Sequence, residues 1–575
     1  MKTQQELRTQ LKEIDHKSYS LYKSLAGEYQ FADYVLSIDK VQADPFASPS
    51  RVRVRVPKSV HGFSQHLYEN TWSRLALEDT ILRKWNRIIQ KNNQKAGSGN
   101  SGRLGVCGCG QEILERQAVV ITKDEIQGFF LIGFPAKGRS ILARELEKIL
   151  FEFVPEMVKE VFLQASYSQG DLQAKKELAE NQQYIRDQLK EKKLVAFLAN
   201  GSVLPRESGV SQRPMKHATP FQSPASLEVT MDVPYGEAIK GMGIPQGVTV
   251  IVGGGYHGKS TLLEAMQLGV YNHIAGDGRE YVIADDTALK IRAEDGRNIE
   301  KTDIHMFINH LPNEKDTERF STENASGSTS QAANMIEAME AGAHTFFIDE
   351  DTSATNFMVR DGVMQRIVAK DKEPITPFIS WVRALYEEKG ISTVIVVGSS
   401  AAYLEVADTI LQLDFYEVKD IKKQAKEVLE QYPAMCTEEL QGVPEIKNTR
   451  CPKKIDMSYK GRDMKVKTSG TDTILFNKEA VDVRYLEQLI DHGQTVGIAY
   501  LMKYAMERLV DGKKTLQEII EEIYKQIEQK GIQLVFPKGY SAGFPVMPRK
   551  QEVFAAWNRF RKLEVNDRGT VSKHK

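Results

Sequence analysis

The sequence predicts an α/β protein, a core of parallel strands with helices packed on them, set between an α+β N-terminal domain and a mainly helical C-terminal domain. Two observations carry that reading. Short β-type runs at 248–252, 281–284, 345–348 and 393–397 alternate with helical stretches such as 330–341, the order of strands joined by crossover helices. The first run passes through a glycine-rich loop directly into a helical segment. The length, 575 residues, supplies the flanking domains, since a domain takes about 100–200 residues. The expected division is 1–205, 225–435 and 436–575.

Hydrophobic residues at 41% and charged residues at 27% are the balance of a globular protein. Lys plus Arg and Asp plus Glu are 77 each, so no net field draws in a polyanion and any such partner needs a local cationic patch. Four cysteines, Cys107, Cys109, Cys436 and Cys451, are too few to staple this chain, which points to a reducing compartment. No apolar run reaches the roughly 18 residues that cross a bilayer. The chain reads as cytoplasmic and not as a self-contained transporter.

In chain order, Leu7, Leu11, Ile14, Leu21 and Leu25 recur at helical spacing. Arg51-Val-Arg-Val-Arg-Val56 then alternates as a strand, with Arg51, Arg53 and Arg55 on one face and valines on the other. Helical signals occupy 67–92 and 138–196, and the charged run from Gln173 to Lys193 reads as a solvated helix. The Ser-, Pro- and Gly-rich stretch 200–226 reads as a connection. After Asp420 come a basic stretch, 447–467, and helices at about 480–492 and 514–530.

Gly253-Gly254-Gly255-Tyr256-His257-Gly258-Lys259-Ser260-Thr261 has phosphate-loop spacing between a strand and a helix. Residues without bulky side chains let successive N–H groups converge on phosphate oxygens, and the helix N-terminus adds partial positive charge. Lys259 can reach the β- and γ-phosphates, and the Ser260 hydroxyl can ligate Mg²⁺. Downstream, Thr345-Phe-Phe-Ile-Asp-Glu350 is an apolar strand ending in two carboxylates, Asp349 suited to Mg²⁺ and Glu350 to polarising an attacking water. Between them Ser326-Gly327-Ser328 opens a helix and makes a second anion site.

In this order and register the chain resembles the soluble ATPases of the ABC class, which carry flanking domains and no membrane part. The resemblance covers nearly the whole chain: Asp44 to Val54, Gly241 to Pro245, Gly253 to Thr261, Ile291 to Gly296, Asp349 to Met358, Glu373 to Pro377 and Ala555 to Arg559. It implies an ABC-type P-loop NTPase core that takes ATP and Mg²⁺, with Ser326, Gly327 and Ser328 as the signature and Ser353-Ala354 in the loop after the acids. It further implies a homodimer through the nucleotide sites, and RNA or another single-stranded nucleic acid as partner. Two departures stand out. Val397-Gly-Ser-Ser-Ala401 has no switch histidine, Ser399 being the nearest substitute. The usual glutamine before the signature is absent, and Asp303 and His305 occupy that region.

Weaker candidates are Cys107 with Cys109 as a soft-metal pair and Tyr235 as an aromatic for adenine. His257 sits where any residue fits the loop. For nucleic acid the local cations are Arg51, Arg53 and Arg55, and the 447–467 stretch, including Lys453 and Lys454 beside Tyr459. The leading reading is an ATP-driven homodimer acting on RNA. A nucleotide-gated binding module with negligible turnover and a transporter's ATPase subunit are the alternatives.

Overall fold

Alternating Arg and Val residues at 51–56 set the centre of the first of two units, Met1–Glu180 with Phe536–Met547. The computed structural model describes residues 1–575 apart from 361–366, 368–371, 434–437, 456, 458–463, 538–543 and 569–575. Helix α1 (Gln4–Ile14) starts at a capping box, Glu6 N–H donating to Thr3 Oγ1 at 3.2 Å and Thr3 N–H to Glu6 at 2.6 Å. Strands β1 (Gly27–Gln30), β2 (Val35–Lys40) and β3 (Ser50–Pro57) follow as an antiparallel run. Helix α2 (Thr71–Asn92) packs over the sheet, and β4 (Glu125–Ile132) pairs with β3 along its whole length. Val52, Val54 and Val56 are fully buried, and Trp85 of α2 lies against Phe130 of β4 and Phe162 of α3 (Val154–Phe162). Gly128 is required beneath that cluster, because a Cβ there would stand 2.4 Å from the Phe162 ring. The returning segment 536–547 bonds to this unit through Gln117 N–H to Pro545 O at 3.1 Å and Met547 N–H to Glu115 O at 2.9 Å.

The second unit is Asn181–Val535 with Pro548–Lys575. Its first residues belong to α4 (Gln169–Glu191), and here the charged run departs from a solvated helix. Gln182 is fully buried, donating to His273 O and Glu280 O at 2.8 Å each. Arg186 donates to Gly269 O at 2.9 Å, Ala284 O at 2.6 Å and Asn272 Oδ1 at 2.8 Å; burial brings its guanidinium down to about 10. These polar side chains fasten α4 to the backbone carbonyls of Gly269, His273, Glu280 and Ala284.

An antiparallel sheet of β5 (Leu194–Ala199), β6 (Glu228–Met231), β7 (Ile239–Pro245) and a strand at Val282–Ala284 lies in the order β6, β7, β5, Val282–Ala284. The run at 281–284 therefore leaves the parallel set in which periodicity places it. The α/β core is a six-stranded sheet containing β8 (Val248–Gly253), β9 (Leu289–Ile291), β10 (Thr345–Asp349), β11 (Ser392–Val396), β12 (Thr409–Asp414) and β13 (Glu417–Asp420). Their order is β9, β10, β11, β8, β12, β13, all parallel except the last pair. Helix α5 (Lys259–Leu268) follows β8, and α6 (Gly327–Glu340) precedes β10.

After the core, a three-stranded antiparallel meander at 466–482 leads to α7 (His492–Arg508), α8 (Leu516–Lys530) and α9 (Lys550–Asn558). The helix expected at 480–492 thus begins only at His492, with Asp491 as its N-cap. Buried charges tie this region to the core: Arg450 pairs with Glu340 of α6, and Arg559 pairs with Glu294 and donates to Asn334 of α6, while Arg297 and Glu337 pair within the core beside them. Among the described residues no helix is long and apolar enough to cross a membrane.

Candidate functional site

β8 runs between β11 and β12 and delivers the glycine loop at the carboxyl edge of the parallel sheet. Two glycines are imposed by close approach at positive φ: a Cβ on Gly253 would stand 2.4 Å from Leu413 O, and one on Gly258 2.9 Å from the Tyr416 ring. Tyr256 holds φ 63° despite its side chain and is fully exposed on the crest beside Gly254 and Gly255. Lys259 Nζ donates to Gly253 O at 2.7 Å and Gly254 O at 2.9 Å, which holds the ammonium over the loop. The outer face is open, since a Cβ on Gly255 would meet nothing within 4 Å. An open nest of backbone amides with a centred ammonium suits a polyphosphate.

The same edge carries the carboxylates. Asp349, buried at 7% exposure, accepts from the Ser260 hydroxyl at 3.3 Å and from Asp351 N–H at 3.1 Å. Ser260 Oγ and Asp349 Oδ2 are hard oxygen donors of the kind Mg²⁺ takes. Glu350 accepts from Gly398 N–H at 2.6 Å, Ser399 N–H at 3.0 Å and the Ser399 hydroxyl at 2.8 Å. Ser399, which stands where a switch histidine is expected, thus grips the second carboxylate.

Ser326 is the N-cap of α6, its hydroxyl 2.9 Å from that of Thr329, and Gly327 is the first helical residue with Ser328 buried behind it. Gln331, fully buried, bonds Ser353 Oγ at 3.1 Å and accepts from Ala354 N–H at 2.8 Å. One glutamine therefore fastens the Ser-Gly helix to the loop after the two acids. Asp295 also reaches this point, 3.4 Å from where a Cβ on Gly327 would lie. Because β9 pairs with β10 and ends at Ile291, the residues beside Asp349 at the sheet edge are Arg292–Asp295. Asp303 and His305 instead bond to each other.

Several contacts here were not read from sequence. Phe415 and Tyr416 form a two-residue hairpin turn between β12 and β13, both at positive φ (46° and 71°), a backbone that ordinarily takes Asn-Gly. This tip clamps His257: Phe415 N–H donates to His257 Nδ1 and Tyr416 N–H to His257 O, each at 3.2 Å, and the rings of His257 and Phe415 lie 4.5 Å apart. His257 is therefore held in place and is not an indifferent loop position. Beside it opens a largely apolar cavity of about 190 Å³, walled by Gly258, Thr261, Leu262 and Tyr416 and, opposite, by Met215 and Phe221 of the 200–226 stretch. That stretch reads as a connection because its Ser, Pro and Gly hide a few buried apolar anchors. Tyr235 sits elsewhere, its backbone bonded on both sides to Asn181.

The cationic candidates are largely committed. Arg53 lies 3.4 Å from Asp39 and 3.7 Å from Glu28, Arg55 lies 3.1 Å from Glu28, and all three strand arginines, Arg51 included, are half-buried. In the 447–467 stretch Arg450 turns inward to Glu340 and Lys453 lies 3.2 Å from Glu564, whereas Lys447, Lys454, Lys465 and Lys467 are exposed. Tyr459, Lys460, Arg462 and Cys436 lie outside the described residues. Cys107 is buried with its sulfur 3.2 Å from Arg116, and burial pushes the Cys109 thiol up to about 12.

Comparison with known proteins places this geometry. Residues 168–449 match the ABC ATPase P-loop domain, 4–165 the N-terminal domain of ATPases of the ABC class, and 465–566 the MRB1590 C-terminal domain. A relative in Methanocaldococcus jannaschii, the uncharacterized protein MJ1628, is 31% identical over 249 residues, 42% of this chain and 54% of its own, so the match spans about half of that protein. Solved structures include a putative metal-chelate type ABC transporter in an inward-facing conformation (15% identity, 40% of this chain and 82% of that one). Another is the ADP conformation of MJ1267, an ATP-binding cassette of an ABC transporter (12% identity, 42% and 96%). Both have TM-scores of 0.25, too loose an overlay to bear on this chain's activity. With a P-loop core and an N-terminal domain that both match that class, the chain belongs to the ABC-class ATPases.

Proposed function

We propose that the chain binds and hydrolyses ATP as a homodimer whose nucleotide-driven closure does work on a nucleic-acid strand. The observation that carries the enzymatic part is the 3.3 Å contact between Ser260 and Asp349, which joins the phosphate loop to the carboxylate strand with Glu350 next in sequence. In this reading Lys259 leaves the loop carbonyls for the β- and γ-phosphates, Ser260 and Asp349 hold Mg²⁺, and Glu350 orients and polarises the attacking water. The loop's bonds run to Asp349 and the Phe415–Tyr416 tip, while Gln331, near the start of α6, bonds to Ser353–Ala354 and Ser326 bonds within its own turn to Thr329. That separation supports a shared site, the loop of one copy facing the Ser-Gly helix of another. The division of labour is 225–435 for the ATPase core, with 1–205 and 436–575 transmitting closure to the strand.

Lys259→Ala is expected to weaken ATP binding by about 1.5–3 kcal/mol, the range for hydrogen bonds to a charged group. Unaltered ATP affinity in a titration would rule out this loop as the nucleotide site.

The nucleoside end is assigned to the cavity beside Tyr416. Tyr416→Ala should lower ATP affinity about five- to hundredfold, as loss of one base–aromatic stack does, and leave inorganic tripolyphosphate binding unchanged. Tyr235→Ala should change neither, and the opposite pattern would transfer the base to Tyr235. The nucleic-acid reading draws on the family resemblance and the exposed Lys447, Lys454, Lys465 and Lys467.

A further inference from the structure

The outer wall of the cavity beside Tyr416 is a hairpin, in which Arg206–Ser208 pairs antiparallel with Ser211–Pro214 before Met215 turns inward to the cavity. The hairpin carries little apolar surface of its own, and Val210 at its tip is 98% exposed. Buried polar groups hold it instead. The Arg206 side chain, 6% exposed, donates to Asp277 Oδ1 at 2.7 Å, to Val203 O at 2.8 Å and, across the hairpin, to Gln212 O at 3.1 Å. Asp277 is fully buried, and its other carboxylate oxygen lies 2.8 Å from His273 Nδ1. His273 Nε2 in turn lies 3.3 Å from the carbonyl of Leu268, the last residue of α5. A chain of buried polar contacts thus runs from the far end of the phosphate-loop helix to the hairpin that faces its first turn.

The foot of the hairpin is fixed as closely. Val203 N–H donates to Gly278 O at 2.8 Å, and a Cβ on Gly278, which holds φ 79°, would stand 2.6 Å from the Val203 Cβ. Arg279, buried, donates through Nε to Leu204 O at 2.9 Å. Met215 N–H donates to Pro205 O at 3.0 Å, so its place is set by the residue before Arg206. Burial opposes the charge on Asp277, yet the His273 bond and the charges of Arg206 and Arg279 hold its carboxyl below the ordinary value.

Buried ion pairs add little net stability over apolar packing and are suited to fixing one geometry. Here the geometry fixed is a gap with Tyr416 on one side and Met215, whose thioether packs well on a planar ring, on the other. We infer that the 203–221 hairpin is the outer jaw of the nucleoside cavity: a base lies between Tyr416 and Met215, and Arg206, through Asp277 and His273, is the positioning residue that sets the gap. This inference rests on the assignment of the nucleoside to this cavity.

The test titrates the full chain with ATP and with inorganic tripolyphosphate and follows steady-state ATPase turnover. Met215→Ala, at a side chain 41% exposed, should leave tripolyphosphate binding unchanged. It should weaken ATP binding about four- to fifteenfold, the contribution of one or two buried methylene groups. Arg206→Gln should weaken ATP binding at least as much, again without effect on tripolyphosphate. It should raise KM with kcat unchanged, because contacts to the base are equal in the ground and transition states. In combination with Tyr416→Ala the loss from Met215→Ala should shrink, since both side chains hold the same base. ATP affinity that falls in Tyr416→Ala but holds in Met215→Ala and Arg206→Gln would overturn the jaw and spare the nucleoside assignment. Tripolyphosphate binding and kcat that fall together with ATP affinity in Arg206→Gln would mean that Arg206 only maintains the fold, and would overturn its positioning role. ATP affinity unchanged in all three single variants would overturn both the jaw and the nucleoside assignment.

Discussion

Glu350→Gln is expected to keep ATP bound and to lower turnover by about two to four orders of magnitude, the range contributed by a positioned general base. The amide keeps the shape of the carboxylate and loses the charge that polarises water. In the structure Glu350 is gripped by Gly398 N–H and Ser399 N–H and by the Ser399 hydroxyl, so its position is set before any nucleotide arrives. Since hydrolysis would otherwise reopen the dimer, the variant should sediment as a dimer in ATP and as a monomer without it. Turnover at the wild-type rate would remove Glu350 from the reaction.

Arg559→Ala is expected to destabilise the second unit by about 3–5 kcal/mol, the cost of leaving a buried charge without its partner. Arg559 and Glu294 are 6% and 4% exposed as side chains, and Asn334 of α6 bonds both. Burial opposes the charge on Glu294, yet Arg559 and Arg297 beside it hold its carboxyl below the ordinary value. The sign follows: a carboxyl depressed in the folded state adds stability above its unfolded value near 4.5, and that stability is lost as pH falls through the depressed one. Urea unfolding should show the loss at pH 7, and replacing both partners, Arg559→Met with Glu294→Leu, should recover most of it. A single variant as stable as wild type would mean that this lattice does not hold the C-terminal region on α6.

The phosphate loop and the acid pair were legible because their chemistry is local. Gly253 to Thr261 must be contiguous to form a nest, and Asp349 and Glu350 must end one strand. The α/β class was legible for the same reason, from strand runs broken by helices. Contacts made across the fold left weaker marks. The Arg51–Arg53–Arg55 face looks cationic in sequence, but Glu28 and Asp39, which neutralise it, arrive from neighbouring strands. Arg450 reads as surface charge and lies buried on Glu340, and the polar side of α4 reads as solvated and instead bonds backbone carbonyls of the second unit. The run at 281–284 has strand composition, but composition carries no sheet membership; Ala284 N–H bonds Gly269 O and the strand joins β5. Phe415–Tyr416 did leave a signal, two aromatic residues at a hairpin tip where Asn-Gly is the relaxed choice.

The most direct test of the shared-site claim is ATPase turnover by a mixed dimer, one copy carrying Gly327→Asp and the other Lys259→Ala. An aspartate at 327 would set its carboxylate against phosphate oxygens, and its Cβ would lie 3.4 Å from the Asp295 carboxylate. If the loop of one copy works with the Ser-Gly helix of the other, both lesions fall in one composite site and the second remains whole. The mixed dimer should then hydrolyse ATP, while either variant alone should not. A mixed dimer as inactive as its parents would place loop and signature in the same copy and contradict the shared site.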